Sequence, residues 1–435
     1  MCVQRHLTRW LRAHDGLAWT FLWVSFVRVT MLGFSLLGSI IIYRSLAAGS
    51  PDMTQAGQFA IGMAIVRILT NSVGSTGDLV VLRRVPVLFR TDPVATADVV
   101  RAAFLLRAAT FLLVLVFALL LRSWFAERFL HGRDQAPLVL LIGMATAGEL
   151  TLRSVLSYFQ ATERFDWFVA FEATFQAGRL VMVLALVATR SLDVANVLMS
   201  YAAMGFAAAA LAAARLPRTL FTLRALPAHV SREAAHFFFW TVFAFGLAAG
   251  TERMDLFLLG RFRGAQEVGL YGGVLTLAII PDFISGMLAT VLQPRVARLR
   301  ERGELLAFNR TVILAVLPLG LLAMTVVVYF GGTIVLLALG PRFAPGAPAF
   351  IALAVGSLAW LVLTPVSAVL ITMTAPRTTT ALTTLQLIML CGGGVLLIPA
   401  YGATGAAIVV AGARIVLSLA TIVIGQRMMR RPAVA

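Results

Sequence analysis

Arg28, Arg67, Arg153, Arg179, Arg253 and Arg414 stand inside long apolar runs, as do Asp78, Glu149, Glu172, Glu252, Asp255 and Asp282. A guanidinium offers a planar fork of donors that matches phosphate or carboxylate oxygens two at a time. Inside a bilayer an unpaired charge costs about 2.5–3.5 kcal/mol, so each such residue must find a partner, reach an interface or line a wet cavity. Spacing sorts them. Glu149 and Arg153 are four apart and fit a structural pair on one helix face. Glu172 and Arg179 share a face two turns apart, too far to meet, so each needs a partner on another helix or in a cavity. Arg28 and Arg67 have no acid three or four residues away and read as cavity-lining cations. Glu252, Arg253 and Asp255 cluster, and Glu252 and Asp255 three apart can share a proton, which makes them candidate coupling groups. Asp78 and Asp282 suit a helix-terminus role as well as a coupling role, and Arg414 a structural role as well as a cavity role.

The elements that carry these charges follow from composition. Of 435 residues, 60% are hydrophobic and 13% charged, with mean hydropathy +0.92. Soluble domains run about 45–50% apolar and about 25% charged. A soluble enzyme, a disordered chain and a disulfide scaffold are excluded, and an all-α polytopic membrane protein remains. About twelve spans are expected, starting near Leu22, Gly57, Ala102, Pro137, Trp167, Val194, Phe237, Val268, Thr311, Ala347, Ala381 and Gly402. The basic N-terminus runs into the first apolar stretch without a small-residue cleavage site, so that stretch reads as a retained span. All 36 basic residues are arginine; against 19 acids they give +17. Most fall in short loops on one side, among them Arg5, Arg9 and Arg12, then Arg83, Arg84, Arg90, Arg101 and Arg107 between spans two and three. Arg224 and Arg300 lie in later loops, and Arg427, Arg430 and Arg431 at the C-terminus. That excess places both termini in the cytoplasm and in contact with anionic lipid, with no nucleic-acid partner implied.

The two halves repeat. QAGQFAIGMAIVRI after span one carries Gly57 and Phe59; QEVGLYGGVLTLAII after span seven carries Gly269 and Tyr271. Nearly the same interval relates Ala136-Pro137 to Ala347-Pro348 and Arg83 to Arg295. Six spans per half give both halves the same orientation, so the expectation is two six-helix lobes, related by a pseudo-twofold axis along the membrane normal around a central cavity. The lobes are 1–215 and 236–435, with 216–235 a cytoplasmic linker. Pro281, Pro318, Pro365 and Gly392-Gly393-Gly394 mark places where spans can bend.

Enzyme chemistry finds no support. His6, His14, His131, His229 and His236 lie at termini or loop edges, none at metal-ligand spacing to Cys, Asp or Glu; Cys2 and Cys391 form no framework. There is no HExxH, no GxxxxGK[ST] and no nucleophile elbow, so no metal and no cofactor is expected. The longest outer loop, roughly Arg122 to Gln135, has no room for a catalytic domain.

Four stretches carry a family likeness. QAGQFAIGMAIVRILTNSVGSTGDLVVLRRVP ends in Arg83-Arg84; MDLFLLGRFRGAQEVGLYGGVLTL holds Asp255, Gly260, Gly264, Gly269 and Tyr271. LATVLQPRVARL holds Pro294, and YGATGAAIVVAGARIVLSL holds Gly402, Gly405 and Ala406. They resemble the polysaccharide-export flippases of the MOP superfamily, the Wzx-like, oligosaccharide-lipid branch. The resemblance implies translocation of a polyprenyl-diphosphate-linked saccharide from the cytoplasmic to the outer leaflet of a bacterial inner membrane, for surface polysaccharide assembly such as lipopolysaccharide or exopolysaccharide. It implies a cationic cavity, here Arg28, Arg67, Arg153, Arg179 and Arg253, and a glycan polymerase or export complex as partner. Two other readings stay open. A drug or cation exporter of the same superfamily calls for a more acidic cavity. A non-transporting component of a glycan-assembly complex calls for glycan export that survives loss of Arg28 or Arg67.

Overall fold

The computed structural model describes residues 15–50, 52–130, 132–221, 226–298, 302–373 and 376–430. Cys2, Arg5, His6, Arg9, Arg12, His14, His131, Arg224, Arg300 and Arg431 lie outside the described residues. The first half begins with Asp15–Gly49 (α1). Thr54–Leu69 (α2) passes through a π-helical turn at Thr70–Gly74 into Ser75–Leu88 (α3). Then come Pro93–Leu120 (α4), Ala136–Ala161 (α5), Phe165–Ala188 (α6) and Val194–Ala213 (α7). The second half runs Ala228–Thr251 (α8), Met254–Arg263 (α9), Ala265–Arg298 (α10), Arg302–Leu339 (α11), Ala347–Met373 (α12) and Pro376–Arg430 (α13).

Among the described residues eleven helices are long and apolar enough to cross a membrane, and the last, Ala381–Gly425, covers 45 residues. A span needs about 20, so this helix holds two crossings, the eleventh and twelfth expected. The break falls at Gly402, which takes φ 56° and ψ −132°. Positive φ carries a steric penalty for residues with a Cβ. Here a Cβ would also meet the Glu267 carboxylate at 2.7 Å. That carboxylate accepts the Ala403 N–H at 2.9 Å, capping the helix that restarts there. Elsewhere the starts are encoded locally. Asp92 before Pro93 accepts from Val94 N and Ala95 N, and Asp193 accepts from Asn196 N at 2.7 Å, both N-caps.

The helices form the two-lobed, all-helical architecture expected. Lipid gives no hydrophobic reason for helices to associate, so close packing at small residues takes its place. In the first lobe α5 crosses α7 where a Cβ on Gly205 would come within 2.6 Å of Gly148 backbone. In the second, α12 crosses the last segment of α13 where a Cβ on Gly356 would come within 2.6 Å of Ala411 Cα. These are spans four and six in one lobe, ten and twelve in the other: the repeat reappears as equivalent contacts. α4 and α11 turn most of their apolar side chains outward, whereas α2 and α12 are largely buried. This makes a multi-pass membrane protein with a lipid-facing shell and a packed centre.

At one end of the bundle the lobes meet through backbone. A methyl group on Gly57 would fall on the Ala265 carbonyl, and one on Gly269 would lie 2.8 Å from Met53 O. The two landmark glycines of the repeat therefore face each other across the lobe boundary. Tyr43 of α1 meets Phe343 of the Pro341–Gly346 turn edge-on, centroids 6.3 Å apart. Arg342 in that turn donates to Ala47 O and, at 2.8 Å, to Ser50 O, so a cation from one lobe caps the C-terminus of a helix of the other. Arg342→Ala is expected to raise amide hydrogen exchange at residues 47–50 by about tenfold, the worth of one or two charge-assisted hydrogen bonds. Unchanged protection would show that Arg342 does not hold this end.

At the opposite end α8 packs chiefly on the π-helical turn, α3 and α4 of the first half, while α9 packs on α10 and α13. Arg84 pairs with Glu233, both well exposed, and Arg83 lies over the Phe237 ring at 5.2 Å. The change of packing partner between α8 and α9 coincides with a break at Glu252-Arg253.

Candidate functional site

A cavity of about 430 Å³ lies between the lobes. α1 contributes a face from Arg28 to Tyr43 that includes Ser35 and Ser39, and α2 contributes Phe59 to Arg67. α6 contributes Glu172, Gln176 and Arg179, and α7 Tyr201. Arg253, Leu256, Gly272, Leu275, Thr276, Ile279 and Phe283 close the other side. The α1 stretch spans about 22 Å of helix, so the cavity is elongated along the bundle. From Gly57 to Arg67 the helix runs about 15 Å, so Arg67 lies well below the end at which the lobes meet.

Arg28, Arg67, Arg179 and Arg253 thus converge on one space. Among the described residues no carboxylate oxygen comes within ion-pair distance of any of the four. Arg179 is held from the side: its guanidinium carbon sits 3.6 Å above the Tyr201 ring and 5.2 Å from Phe175, and Nη1 donates to Gln176 Oε1 at 3.3 Å. Stacking of this kind fixes the plane of the fork without neutralising its charge. Arg67 is solvent-accessible although it lies deep in the bundle. Glu172 is the one acid on the wall. Four guanidinium groups and one carboxylate thus face a space with an aromatic side formed by Tyr43, Phe59 and Tyr201.

Arg153 does not join it. Instead of pairing with Glu149 one turn away, it turns to Asp78 Oδ2 at 3.8 Å and to Thr70 O and Ser75 Oγ at 3.4 Å. A second arginine, Arg107, meets the same carboxylate. Grouped above with the loop arginines, it is buried at 2% exposure in α4. It donates to Asp78 Oδ1 at 2.8 Å, to Gly74 O at 2.8 Å and to Ser154 Oγ. Asp78 thus serves two arginines from two helices. A signal for this in the sequence is Asp92-Pro93, an Asp cap ahead of a helix start, which places Arg107 about four turns into the helix.

The second lobe has its own closed pair. Arg414 donates to both Asp282 oxygens, at 2.8 and 2.9 Å, and to Ser357 Oγ. This is a bidentate bridge from α13 to α10, which assigns Arg414 and Asp282 to structure.

The expected Glu252/Asp255 pair is not formed. The helix breaks at Glu252-Arg253, with Arg253 at φ −131° and ψ 8°, so three-residue spacing no longer means a shared face. Glu252 is exposed and off the cavity wall. Asp255 is buried behind the wall, accepting the Tyr271 hydroxyl at 2.5 Å and the Leu256 N–H at 2.8 Å. The break does leave Arg253 pointing into the cavity. No group of three His, Cys, Asp or Glu able to hold a metal occurs among the described residues.

No protein-family profile matches the chain, and no curated protein matches it in sequence. Its fold does match solved structures over nearly their whole length. The lipid II flippase MurJ in an inward closed conformation aligns with TM-score 0.74 at 10% identity, over 93% of this chain and 87% of that one. An inward-facing multidrug resistance MATE family transporter of the MOP superfamily gives 0.70 at 16% identity, over 93% and 98%. A MOP superfamily transporter from Pyrococcus furiosus, described as having a binding pocket of reverse polarity, gives 0.67 at 15% identity, over 94% and 95%. The chain has the fold of MOP superfamily transporters.

Proposed function

We propose that the protein is a flippase. It moves a polyprenyl-diphosphate-linked saccharide from the cytoplasmic to the outer leaflet of a bacterial inner membrane by alternating access between its two lobes. The observation that carries this reading is the set of four arginines, without an ion-pair partner among the described residues, in one cavity between the lobes. Ionisable residues inside a membrane mark substrate or ion pathways by default, and four guanidinium groups sharing one cavity favour an anionic cargo. A diphosphate supplies the charge and the oxygen geometry. The MurJ likeness supports a lipid-linked saccharide as cargo. An exporter of cations would have to bring its substrate against four positive groups and one negative one, which is unfavourable at any effective dielectric.

In this reading the end bearing Gly57, Gly269 and Arg342 is external, and the end bearing Arg83, Arg84 and Glu233 is cytoplasmic together with both termini. The saccharide and diphosphate enter the cavity while the polyprenyl chain stays in lipid, and rocking of the lobes transfers access from one leaflet to the other. A glycan polymerase or export complex then receives the cargo.

The test uses a null strain. Polyprenyl-linked saccharide is expected to accumulate on the cytoplasmic side while surface polymer disappears, with rescue by wild type. Arg67→Ala, present in the membrane at wild-type level, is expected to restore less than a tenth of the surface polymer, since one charge-assisted contact to phosphate is worth about 10–100-fold. Normal surface polymer in the null strain together with altered solute sensitivity would overturn the flippase reading.

A further inference from the structure

The arginines account for the phosphates of such a substrate but leave one cavity group unused. Glu172 sits on α6 in the cavity wall, and its Oε2 is buried with no hydrogen-bond partner. No ion pair reaches it among the described residues. Arg28 from α1, and Arg153 and Glu149 from α5, lie near enough to interact with it electrostatically. They act on it through space without donating to the buried oxygen. A buried acceptor without a donor is unfavourable, and proteins rarely keep one where nothing fills it. One turn along the same face lies Gln176, also in the wall. Its carbonyl is taken by Arg179, which leaves its amide N–H groups for the cavity. Ser35 and Ser39, one turn apart on α1, line the wall beside α6. The result is an acceptor, a donor and two hydroxyls on one side of a diphosphate-binding space.

We propose that Glu172 is the saccharide-reading residue of this cavity, accepting a hydroxyl or amide N–H from the sugar next to the diphosphate. This rests on the flippase reading. The geometry suits it: Glu172 lies two turns, about 10 Å of helix, from Arg179, so a diphosphate held at Arg179 brings its attached ring alongside Gln176 and Glu172. The serines and Gln176 then serve other hydroxyls of the same ring. A substrate lacking the sugar leaves the acceptor orphaned, which makes Glu172 a filter against bare polyprenyl diphosphate as well as a contact for the loaded carrier.

The competing role for Glu172 is that of a counter-charge for the arginines. The two roles separate in binding measurements on full-length protein in nanodiscs, using polyprenyl diphosphate and polyprenyl diphosphate bearing one N-acetylhexosamine. Glu172→Ala and Glu172→Gln are expected to weaken binding of the sugar-bearing lipid by about tenfold or more. They should leave bare polyprenyl diphosphate unchanged or tighter, so that the preference for the sugar falls at least tenfold. Arg67→Ala should weaken both lipids alike and leave that preference intact. If both Glu172 variants change the two lipids by the same factor, Glu172 is a counter-charge and the proposal is overturned, with the flippase reading intact. Wild-type protein that binds neither lipid overturns both.

Discussion

Asparagine at Asp78 is expected to destabilise the protein by about 3–5 kcal/mol, the range for breaking a buried ion pair by removing one partner. The expected readout is a fall in Tm of several degrees in detergent micelles, with reduced yield from membranes. Asp78 is the shared carboxylate of Arg107 and Arg153, at 2.8 and 3.8 Å. Without it two guanidinium groups from α4 and α5 face each other with no anion between them. Arg107 packs directly on Gly77, where a Cβ would overlap its guanidinium. Arg107→Ala should do less harm, since Arg153 stays within ion-pair distance of Asp78. The order of effects, Asp78→Asn worse than Arg107→Ala, is the sharper test. Equal Tm values for the two variants would mean that Arg153 contributes nothing to the cluster.

Leucine at Gly57 is expected to open the end of the bundle that the lobes now seal. Its side chain would have to occupy the place of the Ala265 carbonyl, and backbone does not yield as a flexible side chain does. Overpacking of this kind typically costs 1–3 kcal/mol and can cost more. Charged against one of two nearly balanced conformations, it shifts their ratio by about 10–100-fold. A single cysteine at Phe59, in a background with Cys2 and Cys391 replaced by serine, reports access to the cavity from that end. Its labelling by a membrane-impermeant thiol reagent should rise at least tenfold in Gly57→Leu. Gly33→Leu on α1, where nothing lies within 4 Å of the new Cβ, should leave labelling unchanged. Failure of Gly57→Leu to raise labelling would mean that the seal lies elsewhere, for instance at Tyr43 and Phe343.

Both expectations concern contacts between helices distant in sequence, and that is where sequence reading and structure part. The spans were legible because the bilayer imposes its requirement residue by residue: about 20 apolar side chains in a row, with exceptions that stand out. The break at Gly402 between two fused spans was marked by a glycine and a renewed apolar run, and the Glu267 cap was not, because it comes from another helix. Arg28 and Arg67 are legible as cavity groups from the lack of an acid at helical spacing, and Arg179 as a group needing a partner beyond its own helix. Arg153 has a local acid at helical spacing, Glu149, and packing turns it to Asp78 on another helix instead. The spacing of Glu252 and Asp255 implies a shared face only on an unbroken helix, and the non-helical backbone at Arg253 separates them. The sequence by itself determined the number of crossings, the repeat, and which charges were too deep to be unexplained, because hydration and helix geometry act locally. Only the tertiary structure decided which charges cancel and which stay free to meet a ligand. That depends on which helix faces touch, and small residues such as Gly57, Gly148, Gly205 and Gly269 favour particular crossings by allowing close approach there.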